Sequence, residues 1–127
     1  MLSQAFTCAA CGVQFNFGLH DLETAGPTGP YAVPPANYTA NLASIWERLA
    51  QTGAKVIWCT TTPVLFQTTP NPCKYCRNES SVVKYNALAL EALTAAAAKT
   101  PATPLRVNDL YVVRSIYPGL ALPDGCP

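Results

Sequence analysis

The one histidine of the chain, His20, stands two residues after Gly18 and directly before Asp21. Any histidine-dependent acid–base step that this polypeptide performs with its own residues must use that imidazole. A glycine just past a strand is where backbone turns sharply or approaches a ligand closely. A free backbone N–H at Gly18 and a ring N–H at His20 could both face a developing oxyanion. The plainer reading, in which His20 and Asp21 hydrogen-bond neighbouring loops, is the one that composition and spacing favour by themselves. Two further polar clusters, Thr60-Thr61-Thr62-Pro63 and Asn108-Asp109, follow apolar segments in the same way. The threonines are expected to satisfy a strand end rather than to act as nucleophiles. Trp46 and Trp58 are expected to be packing residues, and Tyr85 and Asn86 to tie a helix to a nearby loop.

Six cysteines offer a second kind of chemistry. Cys8-Ala9-Ala10-Cys11 and Cys73-Lys74-Tyr75-Cys76 are C-x-x-C pairs, each able to supply half of a tetrahedral thiolate site. The stretch between the pairs far exceeds the roughly 15 to 20 residues of a compact zinc ribbon. Parallel strands would also put the two loops at opposite ends of a sheet. A zinc-stabilised module built on Cys8, Cys11, Cys73 and Cys76 is therefore a minor alternative, and no metal or other cofactor is assigned. Disulfides are the competing use, and Cys73 with Cys76 can close a small loop. Together with the sequons Asn37-Tyr38-Thr39 and Asn78-Glu79-Ser80, they fit a secreted or extracellular protein. The first residues, Met1 to Phe6, carry no basic residue and no long apolar core, so no signal peptide is visible.

Composition sets the outer bounds. Half of the 127 residues are hydrophobic and 12% are charged, against roughly 25% charged in an average soluble domain. Eight basic and seven acidic side chains leave a net charge of +1, which speaks against a nucleic-acid grip built from clustered Lys and Arg. The apolar content speaks against disorder, and the length allows one domain. No apolar run approaches the roughly 18 to 20 residues of a membrane span.

The elements that must position these residues follow from periodicity. Val13 to Phe17 alternates apolar and polar residues, as a strand with unlike faces does. Ala25 to Pro35 is rich in proline and glycine and reads as an irregular loop. Tyr38, Leu42, Ile45 and Leu49 form one apolar stripe on a helix, with Asn37 as N-cap and Gly53 as left-handed C-cap. Ala54 to Thr60 reads as a strand buried on both faces. A loop from Pro63 to Asn78 precedes a second helix that opens near Ser80 or Ser81. Its stripe runs through Val82, Asn86, Ala89 or Leu90, Leu93 and Ala97. Leu105 to Val107 supplies a third strand, followed by a short helix through Leu110, Tyr111 and Val112. Strands alternating with helices predict an α/β fold with a parallel sheet. Two crossovers on one side leave the other face bare, so the domain is expected to be partial. Residues 1–12 are expected to be a poorly ordered segment, 13–112 the core and 113–127 a C-terminal loop.

The block Phe15-Asn16-Phe17-Gly18-Leu19-His20-Asp21-Leu22 resembles the third conserved block, Gly-x-Asn-Asp, of the SGNH (GDSL-type) hydrolases. The resemblance extends in order through Tyr38-x-x-Asn41-Leu42, Gly53 to Trp58, Thr60 to Val64, Tyr85-Asn86 and Val107 to Tyr111, covering roughly residues 13 to 112. It implies a three-layer α/β/α flavodoxin-like fold and hydrolysis of carboxylic esters, of a small molecule or a glycan, by a serine nucleophile. On this chain it makes Gly18 and His20 the oxyanion-hole positions and Asp21 the block's aspartate, a structural group. His20 replaces the family's asparagine. The Gly-Asp-Ser block and the Asp-x-x-His block have no counterpart here, so the chain is expected to be a fragment, inactive alone. A non-catalytic binding or structural protein on the same scaffold is the main alternative. The implied strand order makes the strand at Val13 an exposed edge, which invites self-association.

Overall fold

The computed structural model describes residues 12–64 and 75–116. In chain order the elements are β1 (Gly12–Phe15), β2 (Thr24–Ala25), α1 (Pro35–Ala50), β3 (Lys55–Cys59), β4 (Tyr75–Cys76), α2 (Glu79–Ala98), β5 (Arg106–Asn108) and α3 (Leu110–Ile116). The chain is α/β: β1, β3 and β5 form a parallel sheet in that order, with α1 and α2 as the crossovers. β2 and β4 make a separate antiparallel pair.

Register places Phe15, Trp58 and Val107 side by side, and Val13 beside Val56. This row faces the helices. Val56 and Trp58 join Leu22, Tyr38, Leu42 and Trp46 with Val82, Tyr85, Ala89, Leu93 and Ala96 in one buried cluster. The alternate row, with Gln14, Ile57 and Arg106 aligned, lies on the opposite face. There Gln14, Lys55 and Arg106 are exposed, Ile57 is half-buried and Cys59 is buried, so this face of β3 is covered only in part, short of the two covered faces expected from its apolar run. A run of apolar and aromatic residues does not by itself distinguish one covered face from two. The described residues thus show one helical layer on a parallel sheet, and the second helical layer of a three-layer fold is not among them.

Both helices keep their expected places with altered details. α1 begins at Pro35 behind the N-cap residue Pro34, so Asn37 lies inside the first turn and does not cap. Proline at the first helical position loses no hydrogen bond there. The buried positions of α1 are Tyr38, Leu42 and Trp46, so the stripe turns through Trp46 rather than Ile45. The Trp46 Nε1–H donates to Thr100 Oγ1 at 2.9 Å, which allows the indole to be buried. Gly53 takes φ +71 just past the helix, as expected of a left-handed stop. α2 begins at Glu79, capped by Asn78, whose Oδ1 accepts the Ser81 N–H at 2.8 Å. Its buried face holds Tyr85 and Ala96 in place of Asn86 and Ala97, and Leu90 is 47% exposed.

The loop expected from Ala25 onward contains the end of β2 and a bridge from Thr24 to Tyr31. The cysteine loop ends in β4, paired to β2. Gly12 already belongs to β1, and α3 continues to Ile116, so both outer boundaries of the expected core move outward. Residues 1–11, 65–74 and 117–127, with the expectations that fall on them, lie outside the described residues. No helix among the described residues is long and apolar enough to cross a membrane.

Candidate functional site

Parallel strands align their carboxyl ends, and ligands of open α/β sheets bind beyond that rim. Gly18, Thr60-Thr61 and Asn108-Asp109 all lie there, each just past the end of a strand or at it. β1 hands over to the rim through side chains once its ladder ends. Asn16 Nδ2 donates to the Cys59 carbonyl at 2.8 Å, and the Phe17 carbonyl accepts the Tyr38 hydroxyl at 2.8 Å and the Thr61 hydroxyl at 3.4 Å.

Gly18 is buried and has φ +147. A Cβ there would collide with the Thr61 hydroxyl and come within 3.3 Å of the Tyr38 hydroxyl. Glycine is thus required twice, by backbone conformation and by space. The Gly18 carbonyl accepts the Leu22 N–H at 2.9 Å, and fully buried Leu22 pins the turn into the core. The Gly18 N–H has no acceptor among the described residues.

The neighbouring strand end is held in the same manner. Asn86 grips the Thr61 peptide from both sides: Thr61 N–H donates to Asn86 Oδ1 at 2.8 Å, and Asn86 Nδ2 donates to the Thr61 carbonyl at 2.9 Å. The Thr60 hydroxyl donates to Asp109 Oδ1 at 2.9 Å and accepts the Tyr111 N–H at 2.9 Å. Asp109 Oδ1 also accepts the Val112 N–H at 3.1 Å, capping α3. Thr60 and Thr61 are therefore strand-end groups, as their placement implied, and Asn86 performs the tie expected of it.

Asp21 is half-buried beside the phenols of Tyr38 and Tyr85. Burial is the main cause that keeps both phenols protonated, and the Asp21 charge adds to it. The Tyr85 phenol is pushed up to about 12. Both therefore serve as donors, Tyr38 to the Phe17 carbonyl and Tyr85 to the Val33 carbonyl at 2.6 Å. No hydrogen-bond donor among the described residues reaches the Asp21 carboxylate.

His20 is exposed, and its Nδ1 lies 3.1 Å from Nη2 of Arg77. Arg77 also donates from Nε to the Leu19 carbonyl at 2.8 Å and forms an ion pair with Glu23. Sequence reasoning missed Arg77 and Glu23. They are 54 residues apart and meet because β4 pairs with β2, an antiparallel contact that no local spacing announces.

An apolar groove of about 220 Å³ opens beside Thr60 and Asp109 and runs between α2, β5 and α3 past Val83, Leu90 and Val107. The buried Trp58 Nε1–H, from a residue on its wall, has no hydrogen-bond partner among the described residues.

The cysteine alternative is weakened. Cys76 is disulfide-bonded, and a disulfide sulfur is not a thiolate ligand. Cys59 is a free thiol, so the partner of Cys76 lies outside the described residues, as do Cys8, Cys11 and Cys73. Burial pushes the Cys59 thiol up, against hydrogen bonds from Gln14 and Asn108 that lower it; the protonated thiol is a packing group.

No protein-family model matches the chain, and no curated protein or solved structure matches it either.

Proposed function

We propose that the chain is part of an SGNH-type hydrolase domain acting on carboxylic esters, and that its Gly18 turn is one side of the oxyanion hole. The observation that carries this reading is the buried turn at the carboxyl rim, with the Gly18 N–H left without an acceptor among the described residues. An oxyanion hole needs donors fixed before charge develops, because reorganisation during reaction would cancel the gain. Phe17, Leu22, Thr61 and Tyr38 fix this one. The contiguous parallel order β1-β3-β5 is consistent with the last three strands of a flavodoxin-like sheet. The groove beside Thr60 offers room for the apolar part of an ester.

The nucleophile and its base are not encoded among the residues that resemble the family. In triad enzymes, removing either leaves only the residual rate of binding and the oxyanion hole. The test compares this chain with a polypeptide extended in frame by the flanking coding sequence, using p-nitrophenyl acetate. The short chain is expected to give no turnover above buffer. The extended one should turn over the ester and lose about 100-fold in kcat when Gly18 is replaced by alanine, whose Cβ would push the turn away from Thr61 and misplace the retained N–H. Turnover by the short chain, or its absence from a folded extended chain, overturns the proposal. The second outcome favours a non-catalytic binding protein on the same scaffold.

A further inference from the structure

An arginine guanidinium carries only donors and stays charged in proteins. The nitrogen that faces Arg77 Nη2 must therefore be an acceptor. At 3.1 Å that nitrogen is Nδ1 of His20. A neutral imidazole has one donor nitrogen and one acceptor nitrogen, so the proton resides on Nε2.

The guanidinium is held in place by more than the imidazole. Its Nε–H donates to the Leu19 carbonyl at 2.8 Å, and Nη2 pairs with the Glu23 carboxylate. Leu19, His20 and Glu23 all belong to the segment that follows Gly18. Arg77 itself follows Cys76, whose strand is paired to Thr24 and Ala25. The arginine is thus a three-point brace on the turn, planar and bidentate-capable in a way lysine is not.

The tautomer decides what His20 can do. A histidine base accepts at Nε2 while a carboxylate or carbonyl takes the Nδ1 proton. Here the carboxylate of Glu23 sits on the arginine, and the arginine sits on Nδ1. The arrangement is the reverse of a base. The Nε2–H has no acceptor among the described residues.

We propose that Arg77 is a positioning residue that holds His20 as a neutral Nε2–H donor, so that the turn keeps a side-chain N–H where the resembled family has an asparagine amide. The use of that donor for an oxyanion rests on the hydrolase reading; the tautomer stands without it.

Because His20 is the single histidine, nitrogen-15 labelling of this chain gives one imidazole to observe. Long-range proton–nitrogen correlation spectra are recorded at about pH 8.5, some two units above the ordinary imidazole value of roughly 6.5. The expected spectrum has a protonated Nε2 and an unprotonated, hydrogen-bonded Nδ1. In Arg77→Gln the two nitrogen resonances should move toward each other, to the exchange-averaged positions of a free imidazole. Arg77→Lys, which keeps the charge but loses the fork, should fall between the two. A wild-type imidazole that already shows the free averaged pair, or a proton on Nδ1, overturns the proposal, as does a pair unmoved in a folded Arg77→Gln. Where a variant loses its amide dispersion, the wild-type spectrum decides alone. None of these readouts needs ester turnover, so failure here is separable from failure of the hydrolase reading.

Discussion

At Gly18 a hydrogen atom occupies the space where other residues place Cβ, and φ +147 adds a backbone reason for glycine. Gly18→Ala must push back the Thr61 hydroxyl while adopting a conformation that L residues rarely hold. The expected cost is about 1–3 kcal/mol, read as a lower urea midpoint with an unchanged slope. A midpoint equal to wild type would mean that the turn is free to relax. The same contacts show what can be read from residue types. Gly18 and Asp21 were recognisable as rim residues because strand-end position follows from periodicity. Arg77 was not, because its partners Leu19, His20 and Glu23 lie across 54 or more positions of chain. The tie by Asn86 was legible, and its amide is spent on the Thr61 peptide, while its place in the buried helix stripe is taken by Tyr85.

At the scale of elements, α2 depends on its N-cap. Asn78 Oδ1 accepts from the Ser81 N–H and from the Ser80 hydroxyl at 2.7 Å, and Glu79 places negative charge in the first turn. Glu79 also accepts the Val64 N–H at 3.1 Å and the Tyr111 hydroxyl, joining α2 to the end of the β3 loop and to α3. Asn78→Ala should cost about 1 kcal/mol, whereas Asn78→Asp should retain most of the stability; thermal melts of the two variants check this. Equal losses would show that the cap hydrogen bond is not what matters at this end. The helix start was legible to within two residues from the Ser80–Ser81 region. The buried stripe was less so, since an alanine-rich helix offers several nearly equivalent faces, and Tyr85 won because its hydroxyl reaches the Val33 carbonyl.

The whole molecule carries a pH dependence of determinate sign. Burial raises the Tyr85 phenol from 10.0 to about 12, with further increments from Tyr31 and Asp21, and raises Tyr38 as well. Unfolded tyrosines titrate near ~10. Between these limits the folded state binds more protons than the unfolded one. Stability is therefore complete below about pH 10 and declines as the pH rises toward about pH 12. Denaturant midpoints taken at about pH 9 and about pH 11 should differ, with the higher pH weaker; equal midpoints would exclude the tyrosine linkage. Among the described residues β1 is an edge strand, and the face of the sheet away from α1 and α2 is only partly covered. An unpaired edge presents backbone donors and acceptors to a second chain. Sedimentation velocity is expected to show concentration-dependent species heavier than the 13.5 kDa monomer. A single monomeric boundary at all concentrations, with cooperative unfolding, would count against an open edge.

Alternating periodicities, proline and glycine placement and the ends of apolar runs determined the succession of β1, α1, β3, α2, β5 and α3, the parallel pairing of those three strands and the position of the polar rim, but not the antiparallel pair β2 and β4. Those features depend on contacts between residues near in sequence, or on rules that hold for any strand–helix–strand unit. The tertiary structure alone decided that one face of β3 is covered by both helices, that Cys76 is committed to a disulfide, and that Arg77 lies against Nδ1 of His20. Each of these depends on which distant segments meet, and a side chain's protonation site is set by the atom placed against it rather than by its neighbours in the chain.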